Sequence, residues 1–180
     1  MDIDPSIAIA LGFPKPHYTV VERERRWLCR EVPRSLIRQT LTVTDLYVTG
    51  TRLRLREMRP IDGSPAMLRL TRKADVDAYT RLITSIYLPE EEFALLASVL
   101  PGERLQKIRH RLHAPPGVVL SVDEFQGELS GLILAEAEFP TAQELAAFPA
   151  PAFAAREVTS EVQYTGAELV KHNAQPDPTG

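Results

Sequence analysis

The sequence contains a single cysteine and only four histidines among its 180 residues. Cys29 has no partner for an internal disulfide, which is typical of a protein from a reducing compartment, so a cytoplasmic location is predicted. The histidines are scattered. The close pair His110 and His113 has no cysteine or third histidine nearby to complete a zinc pattern. The sequence therefore excludes a disulfide scaffold and does not favour a histidine-based metal site.

Long apolar runs and a large excess of charge are also missing. The apolar run at residues 7–11 is too short to span a membrane and lacks the basic residues that begin a signal peptide. The net charge is only -3, so no global charge points to nucleic acid or an anionic membrane. With 44% apolar and 25% charged residues, the composition is that of a globular domain. We expect neither membrane nor nucleic acid among its partners.

Proline and polar residues divide the chain into three predicted regions. Residues 1–17 include Pro5, Pro14 and Pro16 and are predicted to be an N-terminal extension. Residues 172–180 are polar and are predicted to form a disordered tail. Residues 18–171 are long enough to bury the core of one domain.

Within that domain, apolar and β-branched residues recur at every second position, which predicts β-strands. The predicted strands cover residues 19–29, 36–47, 51–59, 66–73, 81–88, 106–112, 118–125, 131–139 and 157–164. Short connections with turn residues favour antiparallel pairing. Helices are predicted after Pro89, from the capping box of Thr141 and Glu144, and over residues 167–171. The predicted fold class is mainly β, with a few helices (α+β).

Charged residues alternate with the apolar ones, so each strand has one apolar face and one charged face. The acidic positions on these faces are Glu22, Glu24, Asp123, Glu136, Glu138 and Glu157. The basic positions are Arg52, Arg54, Arg56, Lys73, Lys107 and Arg109. Two interpretations are open. The charged faces are either the solvent side of a half-buried sheet or the inner wall of a closed barrel with a hydrated lumen.

Two features favour the barrel. The charges are segregated by sign from strand to strand, and most of the bases are arginine, which binds phosphate in a bidentate manner. Arginines facing carboxylates would suit a polyphosphate bound together with a hard cation such as Mg²⁺ or Mn²⁺.

The order of these motifs resembles that of the CYTH superfamily. The segment from Glu22 to Leu28 is similar to its ExExK opening motif, and residues 52–56 are similar to its arginine strand. Further similar blocks follow in the family's order, at residues 71–73, 107–109, 123–127, 136–139 and 157–164. The resemblance covers roughly residues 20–171.

This resemblance implies that residues 18–171 form a closed eight-stranded antiparallel β-tunnel with a few external helices. It also implies a metal-dependent phosphohydrolase whose substrate ends in a triphosphate, such as inorganic tripolyphosphate, thiamine triphosphate or a nucleoside triphosphate. Mg²⁺ or Mn²⁺ is the implied cofactor. A homodimer is one oligomeric state that the sequence leaves open.

The resemblance also implies roles for individual residues. The expected catalytic residues are Glu22, Glu24 and Arg26. The expected phosphate-binding residues are Arg52, Arg54, Lys73, Lys107 and Arg109. The expected metal ligands are Glu22, Glu24, Asp123, Glu136, Glu138 and Glu157.

The chain departs from the family pattern at several positions. Arg26 replaces a lysine, Gln163 replaces a basic residue, and Ile83 and Ser85 stand where another pair of glutamates is usual. Because lost carboxylates weaken a metal site, other functions stay open. These are a partly degenerate tunnel that binds nucleotide or polyphosphate without efficient turnover, a class IV-type adenylate cyclase, and an interaction domain whose arginines face bulk water.

Overall fold

The computed structural model describes residues 3–172, except for the side chains of Pro16 and His172. Its strands are β1 Val20–Cys29, β2 Ile37–Val48, β3 Leu53–Pro60, β4 Met67–Asp75, β5 Thr80–Tyr87, β6 Gly102–Leu112, β7 Val119–Phe125, β8 Ile133–Phe139 and β9 Ala154–Glu157. Its α-helices are α1 Pro5–Ala10, α2 Glu90–Val99, α3 Ala142–Ala147 and α4 Gly166–His172. No helix in this described range is both long and apolar enough to cross a membrane.

Eight of the strands close into an antiparallel barrel in the order β5-β4-β3-β2-β6-β7-β8-β1, and pairing of β1 with β5 closes the ring. The first residues of β1, from Val20 to Arg23, pair with β5, and Arg23 to Leu28 pair with β8. The last residues of β1 pair with the short strand β9, on the edge that β5 no longer occupies. The predicted closed eight-stranded antiparallel tunnel is confirmed, and β9 adds a short ninth strand beside it.

Apolar side chains on the outer face of the barrel pack against the helices. Trp27 and Phe139 contact Phe148, which follows α3. Ala8 of α1 belongs to a buried cluster with Ala74 and Leu82. Because apolar residues are removed from water on the outer wall, the inner wall is left free for charged residues.

One stretch of the inner wall is apolar. Continuing the alternation of Glu24 and Arg26, Leu28 is the next inward residue of β1. It belongs to a buried cluster that includes Leu105, Phe125 and Leu134 from neighbouring strands, together with Leu169 of α4. This cluster fills part of the barrel with side chains instead of solvent.

Two elements differ from the sequence prediction. A strand was expected over residues 157–164, but β9 ends at Glu157 and a 3-10 turn occupies Val162–Tyr164. The chain turns there because Glu161 donates its backbone N–H to the Val158 carbonyl. Helix α1 was not predicted, since the prolines of residues 1–17 were interpreted as breaks. Pro5 lies in the first turn, where a helix tolerates proline, and the Asp4 side chain caps the helix.

Of the three predicted regions, the structure describes the domain and most of the N-terminal extension. Residues 173–180 of the predicted tail lie outside the described residues. Within residues 1–17, α1 packs on the outer face of β4 and β5, so this part of the chain is joined to the barrel by a buried apolar contact.

Candidate functional site

A cavity of about 660 Å³ lies inside the barrel and is lined mainly by charged side chains. Its basic lining residues are Arg26, Arg52, Arg54, Arg56, Arg69, Lys73, Arg81, Lys107, Arg109 and Lys171. Its acidic lining residues are Glu22, Glu24, Asp75, Glu103, Glu136 and Glu138. Among the described residues that line the cavity, basic side chains outnumber acidic ones, so the cavity favours an anionic ligand.

Most of the predicted site residues meet in this cavity. Arg54 and Arg109 are 7% and 8% exposed, and Arg26 is only 2% exposed. Arg52 also lines the cavity, but it is exposed in the turn before β3. The interpretation in which the arginines face bulk water is therefore wrong for most of the set.

Asp123 is fully buried and does not line the cavity. It accepts hydrogen bonds from Arg109 Nε and Nη2, both at 2.7 Å, and from Lys107 Nζ at 2.5 Å. These two cations outweigh the cost of burial and lower the pKa of Asp123. The geometry makes Asp123 a support that orients two lining cations.

Glu157 lies away from the other predicted metal ligands. It accepts hydrogen bonds from Arg25 Nε at 3.0 Å and Arg25 Nη2 at 2.6 Å, and from Thr159 Oγ1 at 2.7 Å. Arg25 alternates with the inward residues of β1 and so points outward. The structure thus brings Glu157 to the outer wall and not to the cavity.

Glu24 is held by two arginines. Its Oε1 atom accepts hydrogen bonds from Arg26 Nε at 3.0 Å and Nη2 at 2.7 Å, and it also forms an ion pair with Arg81. Burial and the nearby Glu136 raise the pKa of Glu24, but Arg81 and Arg26 outweigh them, so the pKa lies below its usual value. The carboxylate is therefore ionised and largely occupied by protein cations.

Glu136 is the acidic partner of the β6 cations. It accepts a hydrogen bond from Arg109 Nη2 at 2.6 Å and lies 3.9 Å from Arg26 Nε. Burial opposes ionisation, yet Lys107, Arg109 and Arg26 hold the pKa of Glu136 well below its usual value. A cluster of fixed charges of both signs thus forms along β1, β6 and β8.

Glu22 and Glu138 differ in their partners. Glu22 accepts a hydrogen bond from Lys73 Nζ at 2.6 Å. Glu138 makes no ion pair within 4.0 Å among the described residues, and burial followed by the charge of Glu22 raises its pKa. Glu138 lies directly opposite Glu24 in the register of β1 and β8. Of the four predicted metal ligands that line the cavity, it is the one without such an ion pair among the described residues.

Sequence reasoning missed Asp45, the buried partner of Arg56. Asp45 is fully buried and accepts hydrogen bonds from Arg56 Nε at 2.5 Å and Nη2 at 2.6 Å. Arg56 itself is only 4% exposed. The turn at Thr49 and Gly50 could have revealed the pair, because a hairpin around it brings residues 45 and 56 opposite each other.

Arg69 and Arg81 were also missed as lining residues. Arg81 lies on the inner face of β5 two positions before Ile83, which is where the family glutamates were sought. The Ser85 hydroxyl on the same face lies 2.7 Å from the Thr71 hydroxyl. The inner face of β5 therefore carries an arginine and neutral side chains in place of carboxylates, and alternation alone could have indicated this.

The acidic residues could bind a divalent cation only if a bound ligand supplied some of its coordinating oxygens. Among the described residues, no three Asp, Glu, His or Cys side chains are grouped closely enough to hold a metal ion. Mg²⁺ in substrate complexes usually binds one or two carboxylates and completes its shell with phosphate oxygens and water. The raised pKa of Glu138 beside Glu22 marks a place where positive charge would be favourable. The pair Glu22 and Glu138 fits such a shared site.

A closed antiparallel barrel with a charged internal cavity defines the class of the protein as a β-tunnel protein. No protein-family model matches the chain. The chain is 40% identical over 68 residues to an inorganic triphosphatase of Acetivibrio thermocellus, covering 38% of this chain and 42% of that protein. It is 32% identical over 84 residues to an inorganic triphosphatase of Nitrosomonas europaea, covering 47% of this chain and 56% of that protein. These matches thus span about half the length of the curated relatives.

The structural similarity extends further than these sequence matches. The crystal structure of the inorganic triphosphatase NE1496 superposes with a TM-score of 0.56 at 25% identity, over 84% of this chain and 95% of that chain. Together with the motifs and the closed tunnel, these similarities confirm the resemblance noted above. The chain therefore resembles the CYTH superfamily in both its motifs and its fold.

Proposed function

We propose that this protein is a metal-dependent triphosphatase that hydrolyses a triphosphate-containing substrate inside its tunnel. The observation that carries the proposal is the enclosed cavity in which cations outnumber acids while a group of carboxylates remains on one wall. The sequence relatives described as inorganic triphosphatases support the same reaction and favour inorganic tripolyphosphate as the substrate.

The cations of the tunnel would hold the substrate. Phosphoryl transfer depends mainly on positioning and on neutralising charge at the phosphate oxygens. Lys107 and Arg109 are fixed by Asp123, so their donors are oriented before a ligand binds. Arg54 lines the cavity, and its buried Nε and Nη2 atoms make no hydrogen bond to the described residues. Such preorganised donors suit phosphate oxygens.

The remaining wall would supply the carboxylates of the reaction. Glu22 and Glu138 would hold Mg²⁺ or Mn²⁺, which would neutralise phosphate charge and polarise the attacking water. Glu24, Arg26 and Arg81 would keep the β1 wall in place through their shared ion pairs. Glu136 would fix Arg109 at the phosphate through its 2.6 Å hydrogen bond. Asp123 would keep Lys107 and Arg109 in position through its hydrogen bonds to them. No role is proposed for Glu157.

The test is a phosphate-release screen of the purified protein with tripolyphosphate, thiamine triphosphate, ATP and GTP, each with Mg²⁺, Mn²⁺ or EDTA. We expect release from tripolyphosphate that EDTA abolishes. Glu138→Gln should reduce the rate by at least about a hundredfold, as expected for loss of a group that acts in the transition state. Glu91→Gln, on the exposed surface of α2, is the matched control and should keep the full rate. Release unaffected by EDTA or by Glu138→Gln would overturn the proposal.

A second candidate is a tunnel that binds polyphosphate or nucleotide without efficient turnover. It is motivated by the inner face of β5, where Arg81, Ile83 and Ser85 replace a carboxylate pair. Tripolyphosphate would then raise the melting temperature without releasing phosphate. The adenylate cyclase alternative stays a prediction, which formation of cyclic nucleotide from ATP would test. The cytoplasmic location, the homodimer and the absence of nucleic-acid and membrane partners also stay predictions.

A further inference from the structure

A separate group of arginines occupies the wall formed by β3 and β4. Arg69 lies directly opposite Arg56 in the antiparallel register of these strands, and Arg54 lies opposite Thr71. Arg54, Arg56 and Arg69 all line the cavity. In strand order, this wall is on the other side of the barrel from β8, which carries Glu136 and Glu138.

Two of these three arginines share one buried carboxylate, Asp45. Asp45 forms a bidentate pair with Arg56 at 2.5 and 2.6 Å and lies 3.5 Å from Arg54 Nε. Arg54 Nε and Nη2 and Arg69 Nε are buried and make no hydrogen bond to the described residues. Arg69 also forms no ion pair with any described carboxylate within 4.0 Å. The wall therefore carries more positive charge than Asp45 can neutralise.

On the β6 wall, by comparison, positive and negative charges are balanced. Lys107 and Arg109 share Asp123, and Arg109 also pairs with Glu136. Two cations there face two acids, whereas on β3 and β4 two arginines share Asp45 of β2 and Arg69 forms no ion pair with a described carboxylate. The excess positive charge of the cavity is thus concentrated on one side, where it can bind an anionic group beyond those held by β6.

We propose that Arg54 and Arg69 form an additional phosphate subsite, which binds a further phosphate group of a linear inorganic polyphosphate and makes the tunnel sensitive to chain length. The inference rests on the proposed function, since it concerns the same cavity. An uncharged group at this wall would leave the buried guanidinium donors without acceptors, which is costly. A phosphate group supplies both the negative charge and several acceptor oxygens.

If the subsite exists, replacing Arg69 should change the stability of the ligand-free protein and the binding of polyphosphate in opposite directions. Burial, together with Arg56 and Arg54, lowers the pKa of Arg69 to about 10, so its charged form is disfavoured in the ligand-free fold. Removing the charge should therefore stabilise the ligand-free protein while weakening polyphosphate binding. A residue with a merely structural role would do the reverse and lower the stability when replaced.

The test compares the wild type with Arg69→Gln and Arg69→Lys by titration calorimetry with pyrophosphate, tripolyphosphate and tetrapolyphosphate. Titrations are run with EDTA and with Ca²⁺, and the melting temperature is measured without ligand. In Arg69→Gln we expect affinity for tetrapolyphosphate to fall about tenfold or more, affinity for tripolyphosphate to fall less, and affinity for pyrophosphate to stay unchanged. The ligand-free melting temperature should rise. Arg69→Lys should keep part of the affinity.

Arg59→Gln is the matched control, because Arg59 lies on the neighbouring strand β3 with a side chain that is 55% exposed and paired with Glu57. It should change neither binding nor chain-length preference. Equal losses for all three phosphates, or a lower melting temperature with unchanged affinities, would overturn the subsite. If the wild type binds none of the phosphates, the proposed function itself fails; if it binds them and Arg69→Gln is indistinguishable, only the subsite is wrong.

Discussion

The guanidinium of Arg81 on β5 forms an ion pair with the carboxylate of Glu24 on β1, across the strand pair that closes the barrel. Arg26 binds the same carboxylate oxygen from within β1. The closing seam is therefore held by a charged contact inside the tunnel as well as by backbone hydrogen bonds. The same contact fixes one of the acidic residues of the candidate site.

Replacing Arg81 by methionine should weaken this seam. Arg81→Met removes one of the two cations of a carboxylate that is 5% exposed, so we expect a loss of about 2–3 kcal/mol in the free energy of unfolding. Urea denaturation measures the loss. Arg34→Met is the control, because the Arg34 side chain is 66% exposed and its ion pair with Glu124 should contribute little. A stability equal to that of the wild type would mean that backbone pairing alone closes the barrel.

Replacing Glu138 by glutamine should stabilise the ligand-free protein at neutral pH. Because burial and Glu22 raise the pKa of Glu138 above its ordinary value of 4.5, the folded state binds this proton more tightly than the unfolded state. The resulting destabilisation is absent below the unfolded pKa and develops as the pH rises through the folded pKa. We expect Glu138→Gln to raise the melting temperature by a few degrees at pH 7. The gain should shrink towards pH 4, and a gain independent of pH would contradict this account.

Replacing Asp45 by asparagine should leave Arg54 and Arg56 of β3 without their shared counter-ion. We expect Asp45→Asn to lower the free energy of unfolding by about 3–5 kcal/mol, as is usual when one partner of a buried ion pair is removed. Tripolyphosphate should then raise the melting temperature of the variant more than that of the wild type. Glu57→Gln is the control, because Glu57 lies on the outer face of β3 and pairs with Arg59. Equal ligand effects in the two proteins would show that the bound anion does not act on these arginines.

Replacing Gly166 by alanine should disturb the docking of α4 on the barrel. A Cβ atom at this position would clash with the Tyr47 hydroxyl oxygen, on a rigid ring that lines the same cavity. Alanine favours helices more than glycine does, so any loss of stability must come from this contact. We expect a loss of about 1–3 kcal/mol in Gly166→Ala, measured by denaturation. The loss should largely disappear in a Tyr47→Leu background, and its persistence there would locate the cause elsewhere.

Several parts of the site follow from the sequence by simple rules. Alternation along β1 places Glu22, Glu24 and Arg26 on one face, and the fold confirms that this face is inward. The same rule fails at Glu157, because β9 ends there and the chain turns. A period of two assigns residues to the two faces of a strand only while the strand continues, and the end of β9 depends on how the chain packs against β1.

The amino-acid sequence by itself determined the strands, their antiparallel order and the charged face of each strand, because these depend on local alternation and short turns. Only the tertiary structure decided which charges face each other. Asp45 with Arg56 and Glu24 with Arg81 are paired across strands, whereas Arg69 forms no ion pair with a carboxylate of the described residues. Such pairings are set by the closure of the barrel and the register between strands, which bring together residues that are distant along the chain.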